Sequence, residues 1–294
     1  MDVNSCRQIL EKDFPQIPIH FLSVIQVGWD MLVLVIDNRY IFRFPRRKEI
    51  EAQLEKEINL LPRLAEILPA PVPQVVFARR KSAGDAYTLM GYPMIFGESL
   101  EARPVVSEAI VRQLGEFLSA LHRCPIARFL PILGGSAASQ AQREPLAETY
   151  TWVQELAFPH LSKPDRLAAS LLWEVYLSSQ DNFNYQPRLI HGDLAPEHIL
   201  CDPQGELLSG VIDWGDACPG DPALDFAGLF ALGGERLVDR VLMSYSEPID
   251  EAFRRRVCFY HTIAPFYEIR FALTCEDQPR LLNAVKTLSE RLRV

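Results

Sequence analysis

The apolar positions of the first hundred residues switch between two periods. From Ser23 to Pro45 the chain reads SVIQVGWDMLVLVIDNRYIFRFP. β-Branched and aromatic residues dominate on either side of two turn signals, Gly28 with Asp30 and Asp37 with Asn38. This pattern predicts strand, turn, strand, turn, strand. The period then lengthens: Ile50, Leu54, Ile58, Leu61 and Leu64 recur every three or four residues. That spacing predicts a long helix with one buried face. A short helix over 5–12 precedes the strands. A Pro-bounded strand in APVPQVVFARR and another in AYTLMGYPMIFG follow the long helix and lead into a connector over Gly91–Gly97.

Beyond Gly97 the period is mostly helical. Ile110, Leu114, Phe117, Leu118 and Leu121 mark one helix, ending at Leu121-His122, and residues 145–180 read as helical. Small and polar residues over Gly134–Ala141 predict a loop. Two short apolar runs interrupt the helices, RLIHGDLAPEHILCD and LLSGVIDWGDA. Each places polar residues at the end of a strand. From about 223 onward the chain is helical again. The pattern predicts an α+β protein in two parts, a small sheet with one long helix followed by a larger helical part.

Composition narrows the class. The 294 residues are 48% hydrophobic, ample for a large core or two lobes sharing an interface. A formal net charge of -8 argues against a nucleic-acid binder. No apolar run is long enough to span a bilayer, and the charged N-terminus lacks the apolar region of a secretion signal. The six cysteines form no CxxC pair, which argues against a zinc site and suits reduced thiols in the cytoplasm.

The chemistry concentrates in two segments. Leu189-Ile190 runs into His191-Gly192-Asp193, with His198 five residues further on. Val211-Ile212 delivers Asp213 in the same way. Two carboxylates at adjacent strand ends make a negative pocket suited to a hard cation, and magnesium carrying phosphate oxygens is the commonest occupant. Phosphoryl transfer requires a positioned alcohol, a metal to neutralise charge and a carboxylate to accept the hydroxyl proton.

HGDLAPEHIL resembles the catalytic loop of the aminoglycoside phosphotransferase superfamily, relatives of protein kinases, and GVIDWGDACPGDPALDF resembles its metal-binding segment. YIFRFPRR resembles the third strand of a kinase small lobe. The nearest branches are the aminoglycoside 2''-phosphotransferases and macrolide 2'-phosphotransferases. The resemblance implies a bilobal protein-kinase-like fold. Residues 1–96 would be a nucleotide-binding N-lobe, with a hinge starting near 91. Residues 97–294 would be the C-lobe, with the catalytic loop at 189–200 and the metal segment at 210–226.

It also implies roles. Asp193 would be the catalytic base. Asp213 would bind Mg2+ together with His198, which stands where the family usually has Asn. Arg43 would clamp the phosphates of ATP or GTP in place of the usual Lys. Glu57 would pair with it, Glu55 being the alternative. Gly28 would lie in the hairpin covering the phosphates, and Tyr92 and Met94 in the hinge holding the base. Asp225, in the DPxxDF-like run, would anchor the loop.

The acceptor would lie against residues 135–189 and 231–294. A polycationic aminoglycoside wants carboxylates there, for which Glu197, Asp216, Glu235, Glu268, Glu276 and Asp277 are candidates. A macrolide wants an apolar wall, which Trp173, Phe266, Tyr267 and Phe271 can furnish. The nearest branches favour an aminoglycoside. A metabolic sugar or amino-alcohol kinase and a non-catalytic pseudokinase are the other readings. The expected protein is a cytoplasmic monomer or dimer working on a small molecule, with no nucleic-acid or membrane partner.

Overall fold

A computed structural model describes residues 2–25, 31–80, 88–103, 105–134, 138 and 142–293. The N-terminal part contains α1 (Val3–Asp13), β1 (Leu22–Ile25), β2 (Met31–Ile36), β3 (Tyr40–Pro45), α2 (Glu51–Ala65), β4 (Phe77–Arg79) and β5 (Leu89–Pro93). The strands form one antiparallel sheet in the order β1-β2-β3-β5-β4. Its turn at Asp37-Asn38 places both residues at positive φ, as a tight hairpin requires.

Both faces of this sheet are covered. Met31 and Val35 of β2 face the main core with α2, while Leu32, Leu34 and Ile36 pack with Cys6 and Leu10 of α1. Burial on both sides explains why MLVLVI is apolar without interruption. The same alternation runs along β3. Phe42 and Phe44 join the α1 side, so Ile41 and Arg43 take the α2 side. The parity of a strand thus delivers a cation to α2.

The C-terminal part begins with β6 (Glu98–Ser99), α3 (Glu108–Arg123), α4 (Leu130–Leu133), α5 (Arg143–Trp152) and α6 (Lys163–Ser178). Then come β7 (Arg188–Ile190), β8 (Ile199–Cys201), β9 (Leu208–Val211) and β10 (Cys218–Gly220). The chain ends with α7 (Ala223–Leu242), α8 (Phe253–Thr274) and α9 (Gln278–Arg291). Small antiparallel ladders β6-β8-β9 and β10-β7 hold the two loops that carry the motifs. One core spans α2, α3 and α7, and a second joins α5, α6, α8 and α9 around Trp173, Tyr176, Phe259 and Phe266. Among the described residues no helix is long and apolar enough to cross a membrane.

The structure refines several sequence expectations. The expected helical stretch 145–180 is two helices. α5 widens into a π turn over Val153–Ala157, and Ser162 caps the start of α6 through the Asp165 N–H. The Pro-bounded strand shrinks to Phe77–Arg79, because Pro71 and Pro73 offer no N–H to a ladder. α7 is kinked at Gly233-Gly234, where the backbone leaves helical geometry. The turn at Gly28 and most of the 134–141 segment lie outside the described residues.

Candidate active site

Three segments converge on one cleft. The first is Arg43 on β3 with Glu57 on α2. Arg43 Nη1 donates to Glu57 Oε2 at 2.6 Å, and its Nη2 donates to Asp213 Oδ1 at 2.9 Å. Glu57 is fully buried. Burial pushes its carboxyl up to about 7, against the pull of Arg43. Burial also opposes the charge on Arg43, but Glu57 and Asp213 outweigh it and raise the guanidinium pKa. The alternative partner, Glu55, instead accepts a hydrogen bond from the Thr88 hydroxyl.

The second segment follows β7. His191 donates from Nε2 to the Ile212 carbonyl (3.0 Å) and accepts the Asp193 N–H on Nδ1 (3.3 Å), which fixes a neutral tautomer. Burial, the largest influence, lowers its pKa. Gly192 sits at φ +84°, and a Cβ there would lie 2.5 Å from the Asp216 carbonyl oxygen. Only glycine fits both the conformation and the space. Asp225 at the start of α7 accepts the His191 and Gly192 N–H groups on its two oxygens, each at 2.9 Å. Behind it, His122 donates from Nε2 to Asp225 (3.0 Å) and accepts the Tyr245 hydroxyl on Nδ1 (2.8 Å). A buried chain thus runs from Tyr245 through His122 and Asp225 to the backbone before Asp193.

Asp193 itself stays open to the cleft, its side chain 53% exposed. Partial desolvation raises its pKa to about 6, helped by Asp216, Asp213 and Glu197 and opposed by His198. A carboxylate with a raised pKa is a better proton acceptor. His198 donates from Nδ1 to the Asp193 carbonyl at 2.8 Å. Its other nitrogen, Nε2, therefore turns toward Asp213, 3.7 Å from Oδ2.

The third segment follows β9. The Ile212 N–H bonds the His198 carbonyl at 2.9 Å, joining the two loops, and the Val211 N–H bonds the Pro71 carbonyl at 2.9 Å, tying β9 to the segment after α2. Asp213 then takes the left-handed conformation, φ 65° and ψ 66°. For a residue other than glycine this costs on the order of 1 kcal/mol, a cost that clusters at functional sites. Burial disfavours the Asp213 carboxylate, but Arg43 and His198 outweigh it and hold its pKa below the usual range.

Asp213 and His198 present an oxygen and a ring nitrogen to one point. Among the described residues no three His, Cys, Asp or Glu side chains gather into a cage for a metal. Two protein donors fit magnesium, which keeps water and phosphate oxygens in its other positions. Glu197 and Asp216 are exposed beside Asp193. Glu235 lies just past the kink in α7, and Glu268 lies on α8, both exposed. No contact of either with the loops is seen among the described residues. Glu276 and Asp277 lie in the turn between α8 and α9, where Asp277 caps α9. Trp173 and Phe266 are core residues, fully buried, and only Tyr267 is widely exposed. The Tyr92 ring is buried on the Arg43 side of the sheet, and the Met94 N–H is already bonded to the Arg39 carbonyl at 2.8 Å. The Met94 carbonyl is what it can still offer a ligand.

Sequence reasoning missed Arg256. It is fully buried on α8, bidentate to Asp221 (2.7 and 3.3 Å) and to Asp250 (2.7 and 2.8 Å). It braces the segment between Asp213 and Asp225. The available signal was an Arg at an apolar position of the Phe253, Arg256, Val257, Tyr260 face.

A bilobal kinase-like architecture with paired aspartates at strand ends defines a phosphotransferase. The chain belongs to the phosphotransferase enzyme family (APH), whose profile matches residues 22–257. It is 29% identical to viomycin phosphotransferase of Streptomyces vinaceus over 217 residues, 71% of this chain and 73% of that one. The GDP complex of aminoglycoside 2'-phosphotransferase-IIIa superposes with a TM-score of 0.86 at 26% identity, covering 100% of this chain and 99% of that one. The GDP and kanamycin complex of an APH(2") enzyme gives 0.87 at 25% identity, covering 98% of each chain. Macrolide 2'-phosphotransferase type I shares the fold, with a TM-score of 0.77 at 23% identity over 98% of each chain.

Proposed function

We propose that this chain transfers the γ-phosphoryl group of ATP or GTP to a hydroxyl of an aminoglycoside. The observation that carries the reading is the meeting of Asp193, His198 and Asp213 at the ends of β7 and β9. In the proposed reaction the acceptor oxygen attacks the γ-phosphorus while its proton passes to Asp193. The bond to the β–γ bridging oxygen breaks, and its electron pair leaves with the nucleoside diphosphate. Magnesium, held when bound by Asp213 and His198, would neutralise the phosphate charge. Arg43, fixed by Glu57, reaches the phosphates. Tyr92 and Met94 line the base side.

Support for the acceptor comes from charge. Glu197 and Asp216 flank Asp193, a setting suited to a polycation, and a 25%-identical neighbour holds kanamycin. Glu235 and Glu268 would extend that wall. The viomycin phosphotransferase relative favours viomycin as a second acceptor. The reading implies an enzyme of the cytoplasm, where ATP and GTP are supplied.

The test is a coupled assay with ATP and GTP against kanamycin, viomycin, a macrolide and simple alcohols. Magnesium-dependent turnover on kanamycin is the expected result. Turnover only on viomycin or a simple alcohol would replace the aminoglycoside acceptor. Tight nucleotide binding without turnover on any acceptor would leave a nucleotide-binding module in place of an enzyme.

A further inference from the structure

One face of α2 grips the metal segment at points beyond the Arg43–Glu57 pair. Gln53, Lys56 and Glu57 are spaced so that they project from the same side of the helix. Lys56 Nζ donates to the Ala217 carbonyl at 2.9 Å. Gln53 Nε2 donates to Asp216 Oδ1 at 3.2 Å. Glu57 reaches Asp213 through Arg43. Gly215, just before Asp216, leaves room for the Gln53 amide, since a Cβ there would lie 2.6 Å from Nε2. The gripped segment in turn abuts the catalytic loop, because the Asp216 carbonyl packs against Gly192. The adjoining face of α2 is fixed in the core by Leu54, Ile58 and Leu61.

We propose that Gln53 and Lys56 are positioning residues for phosphoryl transfer: they clamp Asp216 and Ala217 to α2, and through Gly192 that clamp sets where Asp193 stands. This rests on the phosphotransfer reading above. Neither residue needs to touch nucleotide or acceptor. Their effect should therefore fall on turnover, while nucleotide affinity, set by Arg43 and Asp213, is largely retained.

The experiment compares the full-length protein with Lys56→Met, Lys56→Arg, Gln53→Ala and Gly215→Ala. It combines steady-state kinetics with hydrogen exchange of the 210–220 peptide. Lys56→Met should lower kcat roughly ten- to a hundredfold, the scale expected when a reacting group is displaced by about an ångström. Its nucleotide KM should stay within a few-fold and its thermal midpoint near the parent's. Exchange in the 210–220 peptide should accelerate. Lys56→Arg, which keeps a donor, should recover most of the turnover. Gly215→Ala, which pushes Gln53 off Asp216, should reproduce the Gln53→Ala phenotype. Unchanged exchange in Lys56→Met would overturn the clamp, as would faster exchange with parental turnover. If Lys56→Met does not fold, Gly215→Ala and Gln53→Ala decide the matter by the same two readouts. A parent protein without turnover on any acceptor would instead defeat the phosphotransfer reading. Exchange would still report whether the clamp exists.

Discussion

Arg43 on the sheet and Asp213 on the metal segment, 170 residues apart in sequence, are joined by one hydrogen bond of 2.9 Å. The same guanidinium is bonded to Glu57 on its other side. A single side chain thus ties β3, α2 and the metal segment together. Arg43→Ala would strand Glu57, fully buried, without its cation. Removing one partner of such a pair typically costs about 3–5 kcal/mol. The expected outcome is a loss of roughly that size in denaturant unfolding, with nucleotide affinity weakened at least tenfold in a titration. Arg43→Lys should keep the Glu57 contact and lose the second branch to Asp213, so its stability should recover more than its affinity.

Asp193 is held by backbone on both sides, so its side chain can be changed without moving the loop. Asp193→Ala should reduce kcat by about two to four decades, the usual value of a positioned base. Nucleotide affinity, measured by equilibrium binding, should remain close to parental. A variant with near-parental turnover would show that another group takes the proton.

His198 uses one nitrogen to hold the Asp193 carbonyl and turns the other to Asp213. An asparagine side chain carries an N–H donor and a carbonyl acceptor, so His198→Asn should retain activity within about tenfold. His198→Ala, which has neither, should lose both turnover and the magnesium dependence of nucleotide binding. A folded but inactive His198→Asn would show that imidazole does work an amide cannot.

The Asp225 carboxylate accepts two backbone N–H groups and the His122 ring. Asp225→Ala leaves all three donors buried without an acceptor, each worth about 1–3 kcal/mol. Unfolding should occur at markedly lower denaturant. Tyr245→Phe removes only the outermost link and should have a milder effect of about 1 kcal/mol, with turnover falling less than in Asp225→Ala.

His261 on α8 lies against Phe230 at 4.8 Å, and no partner for its buried Nδ1 is seen among the described residues. Burial, with Arg291 nearby, lowers its pKa from 6.5 to about 4. The unfolded chain therefore binds this proton first as pH falls. Stability contributed by the neutral ring is present above about 6.5 and is lost as pH falls toward about 4. Thermal midpoints measured across this window should fall less steeply for His261→Gln than for the parent. Parallel curves would assign the acid sensitivity elsewhere.

The sheet, α2 and the two motif loops were legible because each rests on local pattern. MLVLVI has the length and branching of a buried strand, and the spacing from Ile50 to Leu64 is that of a helix. Asp193 and Asp213 were legible because an apolar pair precedes each. The choice of Glu57 over Glu55 was legible, since Glu57 lies one turn after Gln53 and just before Leu60-Leu61, at the edge of the buried helix face. What escaped was set by distant partners. β6, β8 and β10 are two or three residues long and exist only through their ladders. The burial of Arg256 depends on Asp221 and Asp250, which lie on other segments. The break between α5 and α6 hides in a π turn, whose residues look as helical as their neighbours.

The kink at Gly233-Gly234 divides the labour within α7. Its first half carries Asp225 and shares the rigidity of the catalytic loop. Its second half, beginning at Glu235, takes a new direction and leads the chain to Tyr245, the outer link of the buried relay to the backbone before Asp193. The bend thus lets one helix hold both ends of that relay, Asp225 at its start and Tyr245 just past its end.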